Sequence, residues 1–438
     1  MAPGPLWDAQ AMTSARIATL SLLAASISLY SSALVSGCGG SVAAGNDAGG
    51  GSGGGSGSSS GFSGSSSGVT TSSSSGGTSS SSSGISGSSS GSGGDLCANL
   101  PASACLQPPP APTGTTSMPQ ATTHNYAMRH LYLGDTDRQG VTTSDAWKSF
   151  GYNIDGKVTT ALSADVCALV AGSSRQVQVD GNGGIDNSFG ANIMPIIETL
   201  DSTASQQANT QLQAGYWTQM TYVMGFDDTA GNTTSALGLT GVELAGAAYP
   251  GLSPAWDLTT NWPVAPVDIA GCTPTVGCPA GTDPVANALV KFPQAFQTHG
   301  TFVNGTPAPL TIPIALGGQQ LALNIQSGII TFDPLMPGAV TNGVIAGVIS
   351  TQDLIAALQK AAGSISTALC TGSAFQSIAT QIEQGADILL SGTTVQNVPG
   401  QTCNAISIGL GFDATEIAPP TIIAPPAPQA PNPCGDGG

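Results

Sequence analysis

Charge is what this chain has least of: 8% of its 438 residues are charged, against about 25% in ordinary soluble domains. Eight Lys and Arg stand against 25 Asp and Glu, for a net charge of -17. So few basic side chains cannot build the clustered positive surface that nucleic acid requires, so no nucleic-acid partner is expected. Histidine is scarce too. The three present, His124, His130 and His299, form no H-E-x-x-H or other close pair, which argues against a zinc hydrolase. No P-loop or dinucleotide fingerprint follows a convincing strand. Gly57-Ser58-Ser59-Ser60-Gly61 spells the nucleophile-elbow text G-x-S-x-G, but inside a Ser/Gly tract it lacks the strand and helix the motif needs. No residue is therefore assigned a catalytic role.

What is present begins at the N-terminus. The segment from Ile17 to Leu34 is apolar, diluted by serines and preceded by Arg16, as in a secretory signal. Asp8 lies upstream, where positive charge is expected, whereas a start at Met12 leaves Thr13-Ser14-Ala15-Arg16 before the core. Val35-Ser36-Gly37-Cys38 closes the segment. These four residues resemble the lipobox of bacterial lipoproteins. The resemblance covers only about the first forty residues. It implies that Cys38 takes a thioether-linked diacylglycerol, with acyl chains such as palmitate, and becomes the mature N-terminus. The partner is then a membrane reached through that lipid, and Gly39 in place of Asp points to the outer membrane or cell surface. The rival reading is an uncleaved anchor, since about 20 apolar residues can span a bilayer. Each buried methylene contributes about 0.8 kcal/mol, so several acyl chains hold where one barely does.

The expected organisation is a signal peptide over 1–37, a flexible Ser/Gly tether over 38–94, and a β-rich extracytoplasmic domain over 95–438 with a Pro-rich tail. The tether has almost no large apolar side chains beyond Phe62, Val69 and Ile85, too few to offset its ordering entropy. As a random coil, roughly 55 residues span about 40 Å.

Apart from Cys38, eight cysteines remain: Cys97, Cys105, Cys167, Cys272, Cys278, Cys370, Cys403 and Cys434. An even set in an exported chain reads as a disulfide framework, and no C-x-x-C pair supports a metal cluster instead. Proximity in sequence suggests Cys97 with Cys105, Cys272 with Cys278 and Cys370 with Cys403, leaving Cys167 for Cys434, which would pin the tail to the body.

Strands dominate the reading of the domain. Residues 216–224 alternate, and Leu310 to Leu316, Gly317-Gly318 and Leu321 to Ile325 read as a hairpin whose first strand, carrying Pro313, belongs at a sheet edge. Residues 292–303, 328–332, 343–349 and 406–412 read as further strands. Ser350-Thr351-Gln352-Asp353 opens a helix that Gly363 should stop. A second helix follows from Ser373, and a shorter one runs from Phe189 to Leu200. The expected fold is mainly β, an antiparallel sandwich or curled sheet, with a helical pair in the C-terminal third.

Two acidic loops are candidate calcium sites. Asp135-Thr136-Asp137-Arg138-Gln139-Gly140 opens like an EF-hand loop but has Gln139 where a shorter side chain is wanted and Ala146 at the closing position. Asp180, Asn182 and Asp186 space oxygen ligands along a glycine-softened backbone. The competing reading for both is Asx-turns at tight bends. Calcium is the one cofactor these residues suggest. Trp147, Trp217, Trp256 and Trp262 are candidates for a sugar-stacking platform or for the core. Together these features suggest a lipid-anchored envelope protein, non-catalytic, that binds a glycan or protein ligand or acts structurally. The alternative is a carbohydrate-active hydrolase with an acidic pair on a β-sandwich.

Overall fold

A computed structural model describes residues 105–113, 122–226, 232–244, 254–316, 319–335, 338–391, 400–426 and 432–435. The signal segment, Cys38, the tether and Cys97 lie outside the described residues.

The protein is mainly β. Ten strands form one curled antiparallel sheet rather than two stacked sheets: β1 (Thr123–Tyr132), β2 (Thr218–Met224), β3 (Ser235–Gly241), β4 (Val290–Phe292), β5 (Phe296–Thr298), β6 (Thr301–Val303), β7 (Ala308–Leu316), β8 (Gln319–Leu335), β9 (Ala339–Ser350) and β10 (Ala405–Ile417). Their order is β4-β3-β2-β1-β10-β9-β8-β6-β5, with β7 paired to β8. The C-terminal strand thus enters between the first strand and β9, joining the two halves of the sheet.

The expected hairpin is β7 and β8, in register from Leu316 opposite Gln319 to Pro313 opposite Ala322. Pro313 lacks an N–H, and among the described residues β7 pairs with β8 alone. The region 292–303 resolves into three short strands rather than one.

Among the described residues four α-helices accompany the sheet: α1 (Met194–Leu200), α2 (Ala204–Ala214), α3 (Thr351–Ile365) and α4 (Ser373–Gln384). Period-two alternation on the long strands directs one row to the main core. On β10, Ile406, Ile408, Leu410 and Phe412 join Phe302 and Phe332, together with Leu354 and Leu358 of α3 and Ile378 and Ile382 of α4. Fully burying each such side chain contributes about 1.5–3 kcal/mol. Ser350 caps α3 by accepting the Asp353 N–H at 3.3 Å, as its sequence predicts. Gly363 does not stop that helix, which runs on to Ile365. Gly363 is needed there for space instead, because a Cβ would collide with the sulfurs of Cys434 and Cys370. The expected helix from Phe189 divides into a π-turn over Phe189–Ile193 and then α1, with Pro195 in the first turn of α1, where its missing N–H costs nothing.

Three disulfides close the described residues: Cys167–Cys403, Cys272–Cys278 and Cys370–Cys434. The expected pairings of Cys370 with Cys403 and Cys167 with Cys434 are therefore corrected. Sheet topology overrides sequence proximity. The lead into β10 lies along the segment after Cys167, with Cys403 N–H donating to Ala168 O at 2.9 Å. The tail is pinned as expected, but through Cys370, at the end of a short 3-10 turn (Thr367–Leu369) that follows α3. Cys105 is disulfide-bonded as well, to a partner outside the described residues.

Candidate functional site

The second row of β10, Ser407, Gly409, Gly411 and Asp413, is polar or lacks a side chain, and this lets the segment 146–188 lie directly on the strand. A Cβ at Gly409 would meet the Phe150 carbonyl, and one at Gly411 the Phe150 ring. Asn187 supplies the joint: its Nδ2 donates to Gly409 O at 2.9 Å while its Oδ1 accepts from Gly409 N at 3.0 Å. Ser407 Oγ accepts the Ser188 N–H at 2.9 Å.

Where this segment meets the sheet, four carboxyl groups gather: Asp155, Asp180 and Asp186 of the segment itself, and Asp387. Asp186 Oδ2 accepts from the backbone N–H groups of Ile154 at 2.5 Å and Asp155 at 3.2 Å. Asp180 accepts from Thr159 N at 2.5 Å. Asp387 accepts from Ser407 N at 2.9 Å and from Ser407 Oγ at 2.5 Å. Asp155 Oδ1 accepts from Lys157 N at 2.8 Å. The Lys157 ammonium does not neutralise the group, pairing with Asp165 at 3.2 Å.

Burial dominates the electrostatics of these carboxyls. It raises Asp186 well above the usual carboxyl range, reinforced by the charges of Asp155, Asp180 and Asp387. It pushes Asp180 up to about 9 against the opposing Thr159 bond. It pushes Asp387 up to about 7 although both Ser407 bonds favour the ionised form. At Asp180, Asp186 and Asp387 desolvation outweighs hydrogen bonding, which favours the protonated form of each.

Of the residues proposed as calcium ligands, Asp180 and Asp186 share this cluster, while Asn182 turns away to Ser149 Oγ at 3.3 Å. Asp135 and Asp137 lie in a separate bend. Asp137 Oδ1 accepts from Gln139 N and Val141 N, both at 2.9 Å, the geometry of an Asx-turn. Asp135 accepts from Ser205 Oγ at 3.0 Å. Arg138 leaves this bend for the sheet, donating to Gly343 O at 2.8 Å and standing 3.7 Å from Asp413, which accepts Tyr132 O–H at 2.7 Å. Among the described residues no group of three or more His, Cys, Asp or Glu is placed to hold one metal ion.

A pocket of about 340 Å³ opens elsewhere, between the end of α2, the ends of β2 and β3, and the β7–β8 hairpin. Tyr216, Trp217, Glu243 and Gln320 are among its lining. Of the tryptophans, Trp262 is core, its indole N–H donating to Val242 O at 2.6 Å, and Trp256 packs over it at 5.4 Å between ring centroids. That pair is not an open platform. Trp217 is buried with its indole N–H lacking an acceptor.

No protein-family model, curated protein or solved structure matches this chain. Its function rests on its own residues. Asp155 and Asp387 of the buried cluster, and the pocket, were missed by sequence reasoning: the two aspartates sit in no motif, and the pocket's walls come from four separated segments.

Proposed function

We propose that the chain is a lipid-anchored protein of the outer membrane or cell surface whose folded head binds or scaffolds rather than catalyses. Cys38 is the point of lipid attachment, residues 38–94 are the leash, and the region from 95 onward is the head. The observation that carries this reading is the set of three disulfides, which belong to an oxidising compartment outside the cytoplasm. One of them, Cys167–Cys403, links residues 236 apart.

The binding role draws on the placement of the acids. A two-carboxylate glycosidase needs both groups on one cleft, about 5–9.5 Å apart. The pocket offers Glu243 as its carboxylate, whereas Asp155, Asp186 and Asp387 are buried. The test is fractionation of cells expressing the wild type and Cys38→Ser. The wild type should sediment with membranes and the variant should be released. Equal membrane attachment of both would refute lipidation as the anchor.

A further inference from the structure

We infer that the pocket beside Tyr216 is a binding site for a neutral saccharide. This rests on the binding role proposed above and gives that role a ligand class.

The pocket's size, about 340 Å³, falls at the lower end of the range for small-molecule sites, roughly 300–1,000 Å³. Its lining is chemically mixed in the manner of such sites. Tyr216 is 47% exposed, so part of its ring is free to stack. Gln211, Gln319 and Gln320 contribute amide groups, each with two donors and an acceptor, and Glu243 contributes a carboxylate. None of these five side chains is engaged in a hydrogen bond among the described residues. Trp217 adds a buried N–H without an acceptor to the same wall, an uncommon state for a buried donor.

The charge pattern selects the ligand. No Lys, Arg or His lines the pocket, and Glu243 together with the net charge of -17 repels anions. Phosphorylated and uronic-acid sugars are thus disfavoured. A neutral pyranose fits each element: its C–H face lies on Tyr216, and its hydroxyls donate to Glu243 and exchange hydrogen bonds with the three amides. Such a ligand needs no counter-charge and leaves no buried ion.

The test is calorimetric titration of the full chain, kept in a detergent without a sugar headgroup, with cellobiose, maltose and chitobiose, and with glucuronic acid as the anionic comparison. At least one neutral disaccharide should bind in the micromolar to millimolar range and glucuronic acid should not. Tyr216→Ala should weaken that binding at least about tenfold, equivalent to ~1.4 kcal/mol, while Tyr216→Phe retains most of it. Because Tyr216 is exposed, an unchanged melting temperature should show that the alanine variant is folded. Binding of none of the three disaccharides, or binding unaffected by Tyr216→Ala, would overturn the assignment. Neither result would bear on lipid attachment, which the Cys38→Ser fractionation decides separately.

Discussion

Replacing Asp387 by Asn should make the protein more stable at neutral pH and leave it nearly unchanged in acid. Asp387 is buried, and its carboxyl is raised from the ordinary 3.8 to about 7. The unfolded chain loses this proton near pH 4, whereas the folded chain keeps it until about pH 7, so across that window the native state binds more protons than the unfolded one. Stability is then fully present below about pH 4 and falls as pH rises through the folded value. At about 1.4 kcal/mol per unit, a window of roughly three units amounts to as much as ~4 kcal/mol by pH 7. That is a large share of the 5–15 kcal/mol typical of a native protein. Asn removes the titration while preserving the contacts: its Oδ1 accepts the Ser407 N–H, and its Nδ2 donates to Ser407 Oγ. Urea unfolding of both proteins from pH 4 to pH 9, disulfides intact, is the assay. The curves should coincide near pH 4 and separate progressively above pH 5, with the variant unfolding at the higher urea midpoint at pH 7. Wild-type stability that rises between pH 4 and pH 7, or a variant less stable than wild type at pH 7, would refute the reasoning.

The remaining predictions concern the staples and the close approaches they depend on. Gly363→Ala sets two effects against each other: helix propensity favours Ala by about 1 kcal/mol, but the new Cβ collides with the Cys370 and Cys434 sulfurs, and overpacking costs about 1–3 kcal/mol. Packing should win, with a lower melting temperature and faster reduction of that disulfide by thiol; a more stable variant would count against the close contact. Replacing Cys167 and Cys403 together by Ser opens a link between residues 236 apart, which chain-entropy reasoning values at roughly 5 kcal/mol. A denaturation midpoint unchanged from wild type would show that this bridge does not constrain the chain. Peptide mapping without reduction should recover Cys167 joined to Cys403 and Cys370 joined to Cys434; finding Cys370 joined to Cys403 would restore the pairing that sequence proximity suggests.

How much could be read from residues alone varied with how local the signal was. In β10 the alternation of Ile406, Ile408, Leu410 and Phe412 with Ser407, Gly409 and Gly411 is legible because one side meets a greasy core and the other a close-packed segment. β1 is buried on both sides through its middle, Asn125 to Met128, so its Asn, Tyr, Ala and Met show no clean period. β3 carries Gly238 where a Cβ would press on Val290 at 3.1 Å, and a glycine in mid-strand weakens its strand signature. Helix α2 presents only Ala204, Ala208 and Leu212 to the core among polar residues, too thin a stripe to stand out. The Cys272–Cys278 bridge was legible from spacing, whereas Cys167–Cys403 was set by the insertion of the last strand beside the first, a feature no spacing reveals. Likewise, Asp180 and Asp186 stood out as an acidic loop, but Asp155 and Asp387 join them only through the fold, and their charges add to the burial that raises both carboxyls.

The central claim is that the mature chain begins at an acylated Cys38 and carries its head outside the cytoplasm. Mass spectrometry of the protein extracted from membranes decides it most directly. The account predicts an N-terminal peptide starting at Cys38 whose mass includes a diacylglyceryl group. An intact chain that retains residues 1–37 with a bare thiol at Cys38, recovered from the cell interior, would contradict it.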